Sequence, residues 1–347
     1  MEKTSAMILT LLLSSFLLSC GIQSEIIGAK RSSMSDFGGK IKLHGQILSM
    51  DSVWKPDRIY CNDSLIFLVD KTTENFVHVF DSKTEKYKTS NIRLGNGPNE
   101  SLSCFKLQIG REYVYSLDVV ARKLRRYLYA DFVTKSNVVA DKEYEFDGVP
   151  FSVAANSKNE IIASILYNKE DESTLLTKYD ENGIRQNVEI EYPVDNETRS
   201  NKYLFQNNIF YNEKQKKVVV TYIYADIFDV YDNSLNLLSR AQSPESFLPT
   251  MTNNGQVYVS NSETKLSFET CSLTSDGIWL LYIGTTVDKD DDSDGLYKQI
   301  FEYDYEGNPL HYYELDIPVF WFCVNETERS IYGLSDCPER SIVKFKY

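Results

Sequence analysis

Apolar and polar positions along this chain alternate in short runs, and one hairpin pattern keeps returning. Its clearest copy is Ile66-Phe67-Leu68-Val69-Asp70, a polar turn, then Val77-His78-Val79-Phe80-Asp81. The second limb ends in an aromatic residue, often followed by Asp. It recurs at Leu124-Arg125-Arg126-Tyr127, Leu176-Thr177-Lys178-Tyr179-Asp180, Phe228-Asp229-Val230-Tyr231-Asp232, Ile300-Phe301-Glu302-Tyr303-Asp304 and Val343-Lys344-Phe345. A period of two in short runs predicts half-buried strands. Each copy is preceded by another predicted strand, at residues 56–61, 105–109, 151–155, 209–212, 269–273 and 320–324. Turn clusters such as Asn62-Asp63, Asn156-Ser157-Lys158-Asn159, Asn212-Glu213-Lys214 and Ser275-Asp276-Gly277 end most of these, and such residues reverse a chain between strands. Fourth strands are predicted at residues 89–94, 188–192 and 310–315, and more weakly near Tyr144 and Leu237.

Measured between the closing aromatics Phe80, Tyr127, Tyr179, Tyr231, Tyr303 and Phe345, the steps are 47, 52, 52, 72 and 42 residues. Four-stranded units repeating every ~40 to 50 residues define a β-propeller. The predicted fold is therefore all-β, a six-bladed β-propeller. The long step holds an extra candidate hairpin, Val257-Tyr258-Val259 with Leu266-Ser267-Phe268, and an acidic insert. No helical periodicity or break in composition marks a second domain. The sixth unit stops at Tyr347 without a fourth strand, while residues 40–48 form a strand-like segment with no unit of their own. Pairing that N-terminal strand with the third strand of the last blade would close the ring and leave no open edge. A β-sandwich explains neither the sixfold period nor the missing strand.

The first residues read as an address. Residues 6–18 are an apolar core after Lys3, too short for the ~20 residues that span a bilayer. The run closes on Leu17-Leu18-Ser19-Cys20. This ending resembles the bacterial lipobox, which implies cleavage before Cys20 and lipidation of Cys20. The alternative is an ordinary secretory peptide with an incidental Cys. The expected organisation is a signal peptide at 1–19, a lipidated Cys and tether at 20–39, and a propeller domain at 40–347. Several acyl chains together hold a soluble domain at a membrane. Together with this leader and the six units, Arg93-Leu94-Gly95-Asn96-Gly97-Pro98-Asn99-Glu100 resembles the six-bladed, TolB-like or NHL-like propeller lipoproteins of Bacteroidota. Those carry a similar Gly-x-Gly-Pro-x-Glu segment between their first two blades. The resemblance implies a cell-envelope setting, lipid-anchored to the outer membrane on either its periplasmic or its surface face. It also implies a binding surface, and it supplies no agreed catalytic residues.

Composition sharpens this picture. The aromatic load, with 24 Tyr and 18 Phe, favours strands around a large core. A net charge of -13 argues against nucleic acid, whose phosphates require clustered Lys and Arg. The one dense basic run, Arg122-Lys123 and Arg125-Arg126, reads as a solvated outer face. After Cys20, the cysteines Cys61, Cys104, Cys271, Cys323 and Cys337 include no C-x-x-C pair, so they read as free, mostly buried thiols. His44, His78 and His311 lie in distant units, too scattered for a Ser/His/Asp triad or a His metal site.

Three stretches are candidates for chemistry. The glycines of Gly95-Asn96-Gly97-Pro98 lack the third glycine and the following helix of a phosphate loop. They read as a tight inter-blade turn in which Glu100 accepts backbone N–H bonds. Asp290, Asp292, Asp294 and Gly295 match the opening of a calcium loop, but Phe301 stands where its bidentate Glu belongs. A solvated insert is the default there, with Ca2+ as the possible cofactor and no other cofactor expected. Finally, Arg199, Lys202 and Tyr203 lie in a long polar inter-blade loop, and Trp54 and Trp321 stand at the starts of the innermost strands of neighbouring blades. Aromatic platforms beside a cation suit a peptide or sugar, although inter-blade packing is the favoured account of each Trp. The expectation is a monomeric, non-enzymatic module for a protein or glycan ligand, tied to the membrane through its lipid only. The alternative is a metal-dependent hydrolase or lyase acting on a sugar derivative in the channel.

Overall fold

A computed structural model describes residues 26–49, 53–166, 174–188, 190, 192–194, 203–253, 257–289 and 297–347. It is a six-bladed β-propeller of antiparallel sheets. Blade one contains Pro56–Cys61, Leu65–Asp70, Asn75–Asp81 and Tyr87–Arg93, and blade two Lys106–Ile109, Tyr113–Asp118, Lys123–Leu128 and Lys142–Glu145. Blade three contains Val149–Ala155, Ile161–Leu166, Thr177–Tyr179 and Arg185–Gln186, and blade four Asn207–Asn212, Lys217–Tyr222, Ile227–Tyr231 and Leu237–Gln242. Phe268–Leu273, Ile278–Tyr282, Gln299–Tyr303 and Pro309–Leu315 form blade five. Blade six takes Trp321–Asn325, Ser330–Ser335 and Ser341–Lys346 from the C-terminal end, and Gly45–Leu48 as its outer strand. The innermost strand of each blade touches those of both neighbours in an unbroken cycle, which leaves a channel along the axis.

The recurring hairpin now has a physical reason. Its closing aromatics Phe80, Tyr127, Tyr179, Tyr231, Tyr303 and Phe345 are all buried, each wedged into the contact between blades. The Asp that follows caps the next turn. Asp81 Oδ1 accepts the amides of Lys83 and Thr84, Asp180 those of Asn182 and Ile184, Asp232 those of Ser234 and Asn236, and Asp304 those of Glu306 and Asn308. A carboxylate in this place substitutes for a turn's missing backbone acceptor.

The N-terminal segment departs from the expected single strand. Lys40–Leu43 lies parallel on Pro309–Leu315 at the rim of blade five, and only Gly45–Leu48 pairs antiparallel with the last strand, Val343 opposite Ile47 and Phe345 opposite Gly45. Asp316 forces the break, taking the Gly45 amide at 2.9 Å and facing His44 Nδ1 at 2.9 Å. Nor does the chain behave as a free tether from Ile26 onward. Lys30–Arg31 pairs parallel with the outer strand of blade four, Arg240 donates to the Ile27 carbonyl at 3.0 Å, and Phe37 packs against Phe301 and Tyr303. Arg240 is itself held by a buried, two-point ion pair with Asp229 at 2.6 and 2.8 Å, and Asp229 also accepts from Tyr222 and Tyr231.

Three further expectations shift. In blade three the turn at Gly183 (φ 82°) returns the chain at once, and the fourth strand among the described residues is Arg185–Gln186, earlier than expected; the expected 188–192 lies partly outside the described residues. Val257–Val259 pairs with Met251–Asn253, because Phe268 is committed to the innermost strand of blade five, where its ring is fully buried. The basic run is not a solvated face throughout. Arg125 is buried between Glu143, Asp118 and Ser101, and Arg126 is paired with Asp141 over the Tyr113 ring.

The joint in blade six is tight enough to test. A Cβ added at Gly45 would lie 2.5 Å from Val343 Cγ1 and 2.8 Å from Phe345 Cε1, whereas one at Gly38 meets nothing nearer than 3.7 Å. Gly45→Ala should therefore lower stability by roughly 1–3 kcal/mol, as overpacking does, with Gly38→Ala close to neutral. Urea midpoints of the two variants check this, and equal midpoints would refute a rigid joint.

Candidate functional site

Five of the six innermost strands end in an Asn or Thr that caps the following turn, and three of these five also reach the next blade. Asn62 Oδ1 accepts the amides of Ser64 and Leu65, Asn156 those of Lys158 and Glu160, Asn212 that of Gln215 and Asn325 that of Glu328, while Thr274 Oγ1 accepts from Gly277. Several of the same amide groups then reach sideways to the next blade. Asn325 donates to the Asn62 carbonyl (2.9 Å), Asn62 to Tyr129 Oη (2.8 Å) and Asn212 to the Thr274 carbonyl (2.7 Å). Gln108 and Ala155 exchange two bonds across blades two and three, and Thr327 donates to Asp63 across blades six and one.

These turns surround a funnel of about 790 Å³ at one mouth of the channel. Its rim carries Asp63, Arg111, Lys214 and Thr327, with Ile109, Tyr211 and Leu273 lower down. Mixed charge at the rim and apolar groups beneath suit a polar ligand with one apolar face. Tyr211 Oη is buried without a hydrogen-bond partner among the described residues, a group that a ligand or water would satisfy.

Beneath the funnel the channel narrows to a cavity of about 150 Å³ walled by Tyr60, Lys106, Phe210, Cys271, Trp321 and Cys323, among others. Lys106 reaches from blade two across blade three. Its Nζ donates to Ser152 Oγ at 2.8 Å and to the Ile209 carbonyl at 2.6 Å, and lies 4.1 Å from the Phe210 ring centre. No carboxylate forms an ion pair with it among the described residues. Burial brings the Lys106 amine down to about 7, helped by the positive charge of Arg58 and opposed by Cys271. Burial pushes the thiols of Cys104, Cys271 and Cys323 up, and none of the five described cysteines is in a disulfide.

The residues singled out from sequence are scattered. Trp54 is 83% exposed, its backbone amide held by Asp70, on the opposite side of the disc from the funnel's turns. Trp321 is buried in the channel wall, with the Arg58 guanidinium 4.2 Å above its ring. Tyr203 is half-buried. Arg199, Lys202, Asp290, Asp292, Asp294 and Cys20 lie outside the described residues. Among the described residues, no three His, Cys, Asp or Glu side chains converge as a metal site of those ligands would require. The Gly95–Glu100 stretch serves as a turn. Glu100 accepts the Gly97 amide at 2.8 Å, and a Cβ at Gly95 would sit 2.0 Å from the same carboxylate. Sequence reasoning missed Arg58, Lys106 and the turn-face rim. The recurrent Asn at the ends of the first strands was the available signal for the rim.

The geometry defines a class: a propeller with an axial channel that opens into a polar funnel. More narrowly, the chain belongs to the TolB-like six-bladed propeller family, whose family model, described as TolB-like 6-blade propeller-like, matches residues 36–327. No curated protein matches it. Among solved structures, a protein of Bacteroides fragilis labelled as exported is similar, at 12% identity and a TM-score of 0.56, covering 88% of this chain and 99% of its own. A member of the DUF4221 family from Bacteroides vulgatus is similar at 11% identity and a TM-score of 0.51, covering 87% and 98%. At these identities the likeness speaks for the fold alone.

Lys106 generates a prediction on stability. Its amine sits at about 7 in the folded protein against 10.5 when free in an unfolded chain. Between those values the unfolded state binds more protons, so this group adds stability at high pH that is lost as pH falls toward and through 7. Lys106→Met should remove that slope, on the order of 1 kcal/mol per pH unit. Paired urea titrations at pH 7 and pH 9 check it; a wild-type advantage that does not grow with pH refutes it.

Proposed function

We propose that this protein is a lipid-anchored cell-envelope propeller that works as a non-enzymatic binding module, taking a protein or glycan ligand into the turn-face funnel. The observation that carries the reading is the funnel's preorganised rim, where inter-blade hydrogen bonds fix polar groups around a concave mouth of about 790 Å³. Groups already held in place lose little entropy when a ligand arrives. The envelope setting is supported by the leader ending in Cys20 and by the structural likeness to an exported Bacteroides protein. Tyr203 and Trp54 stand on the rival face, in segments that lead into innermost strands.

Capture experiments separate the two faces. With envelope extract and a glycan array as baits, Arg111→Glu with Lys214→Glu should reduce capture at least about tenfold, the scale expected for losing charge-assisted contacts. Trp54→Ala should leave it unchanged. The reverse outcome would move the site to the blade-connecting loops, and equal capture by all three proteins would remove the funnel from consideration.

A further inference from the structure

Two basic side chains at the channel wall of a strongly acidic protein lack acidic partners among the described residues: Lys106 lines the cavity, and Arg58 packs on the ring of Trp321, which also lines it. The chain has 50 Asp and Glu against 37 Lys and Arg, yet neither Arg58 nor Lys106 forms an ion pair among the described residues. Nearby basic side chains do find theirs: Lys71 pairs with Asp57 and Arg125 with Glu143. Arg58 leaves the innermost strand of blade one and passes between rings of its two neighbouring blades, 5.1 Å from the Phe105 ring centre and 4.2 Å from that of Trp321. Among the described residues its only hydrogen bond is from Nη1 to the Asp57 carbonyl at 3.1 Å, and its buried Nε has no acceptor. Trp321 lines the same cavity of about 150 Å³ as Lys106 and Phe210, and the Arg58 charge acts on Lys106.

Arg58 is half-buried, and a guanidinium whose Nε is withdrawn from water without an acceptor is costly unless something satisfies it. Aromatic rings flank its faces, which leaves its edge for a ligand. A guanidinium edge presents two parallel N–H groups and matches a planar acceptor with two oxygens. We infer that the axial channel is a carboxylate-binding site, with Arg58 gripping the carboxylate in its plane and Lys106 supplying a further donor. Two sources provide such a group: an acidic sugar or the free end of a peptide. This site goes beyond the funnel reading and does not depend on it.

Calorimetric titration of the full chain at constant ionic strength tests the assignment. The probes are glucuronate and alanyl-alanine, with glucose and alanyl-alaninamide as neutral counterparts and inorganic phosphate as a competing anion. At least one acid should bind saturably while its neutral counterpart does not, and which acid binds identifies the source. Arg58→Gln should weaken that binding at least about tenfold, and Arg58→Lys should weaken it less. In the unaltered protein, the bound acid should slow modification of Arg58 by phenylglyoxal, a readout that needs no variant to fold. Absence of saturable binding by both acids, an unprotected Arg58, or tighter binding of phosphate than of either acid would each overturn the assignment.

Discussion

The structure depends on one joint, where residues 45–48 lie antiparallel on residues 342–345. Through it the sixth sheet is built from both ends of the described chain, and a strand that would otherwise expose its hydrogen-bonding groups gains a partner. The approach to the joint is equally constrained. The segment before it runs around the outside of the disc, adding short parallel strands to the rims of blades four and five. The Arg240–Asp229 pair anchors this path. Burying two charges costs free energy, and here the cost is offset by two-point geometry and by hydroxyls from Tyr222 and Tyr231. The remaining guanidinium nitrogen holds the Ile27 carbonyl. A buried polar cluster in one blade thus fixes where the N-terminal segment begins its path.

The same economy governs the two faces of the disc. On the funnel face, the side chain that caps a turn often also bonds to the neighbouring blade, so closing the turn and aligning the blades are one event. On the opposite face, Asp70 and Asp118 at the ends of second strands hold the incoming segments at Trp54-Lys55 and Leu102-Ser103. Both mouths of the channel are therefore framed by backbone that side chains hold in place.

Acidity and the buried cations belong to one electrostatic picture. Exposed carboxylates are solvated and screened within roughly 10 Å at moderate salt, so the overall negative charge does little for a group deep in the channel. Local geometry decides instead. The Lys106 amine meets a hydroxyl, a carbonyl and a ring face, and burial disfavours its charged form.

Local sequence determined the repeated hairpin, the number of blades, the ends of most innermost strands and the surplus strand near the N-terminus. These are legible because a two-residue period, a closing aromatic and a turn-capping Asp or Asn act within a few residues of one another. Tertiary structure alone decided that residues 40–48 divide between two blades, since the break at His44 comes from Asp316, far along the chain. It also decided that Arg125 is buried, because its partners come from three separate segments. The channel is the clearest case. Arg58 and Lys106 look like ordinary strand residues until the ring brings Phe105, Trp321, Ser152 and Ile209 around them, and their lack of acidic partners among the described residues arises only from that convergence.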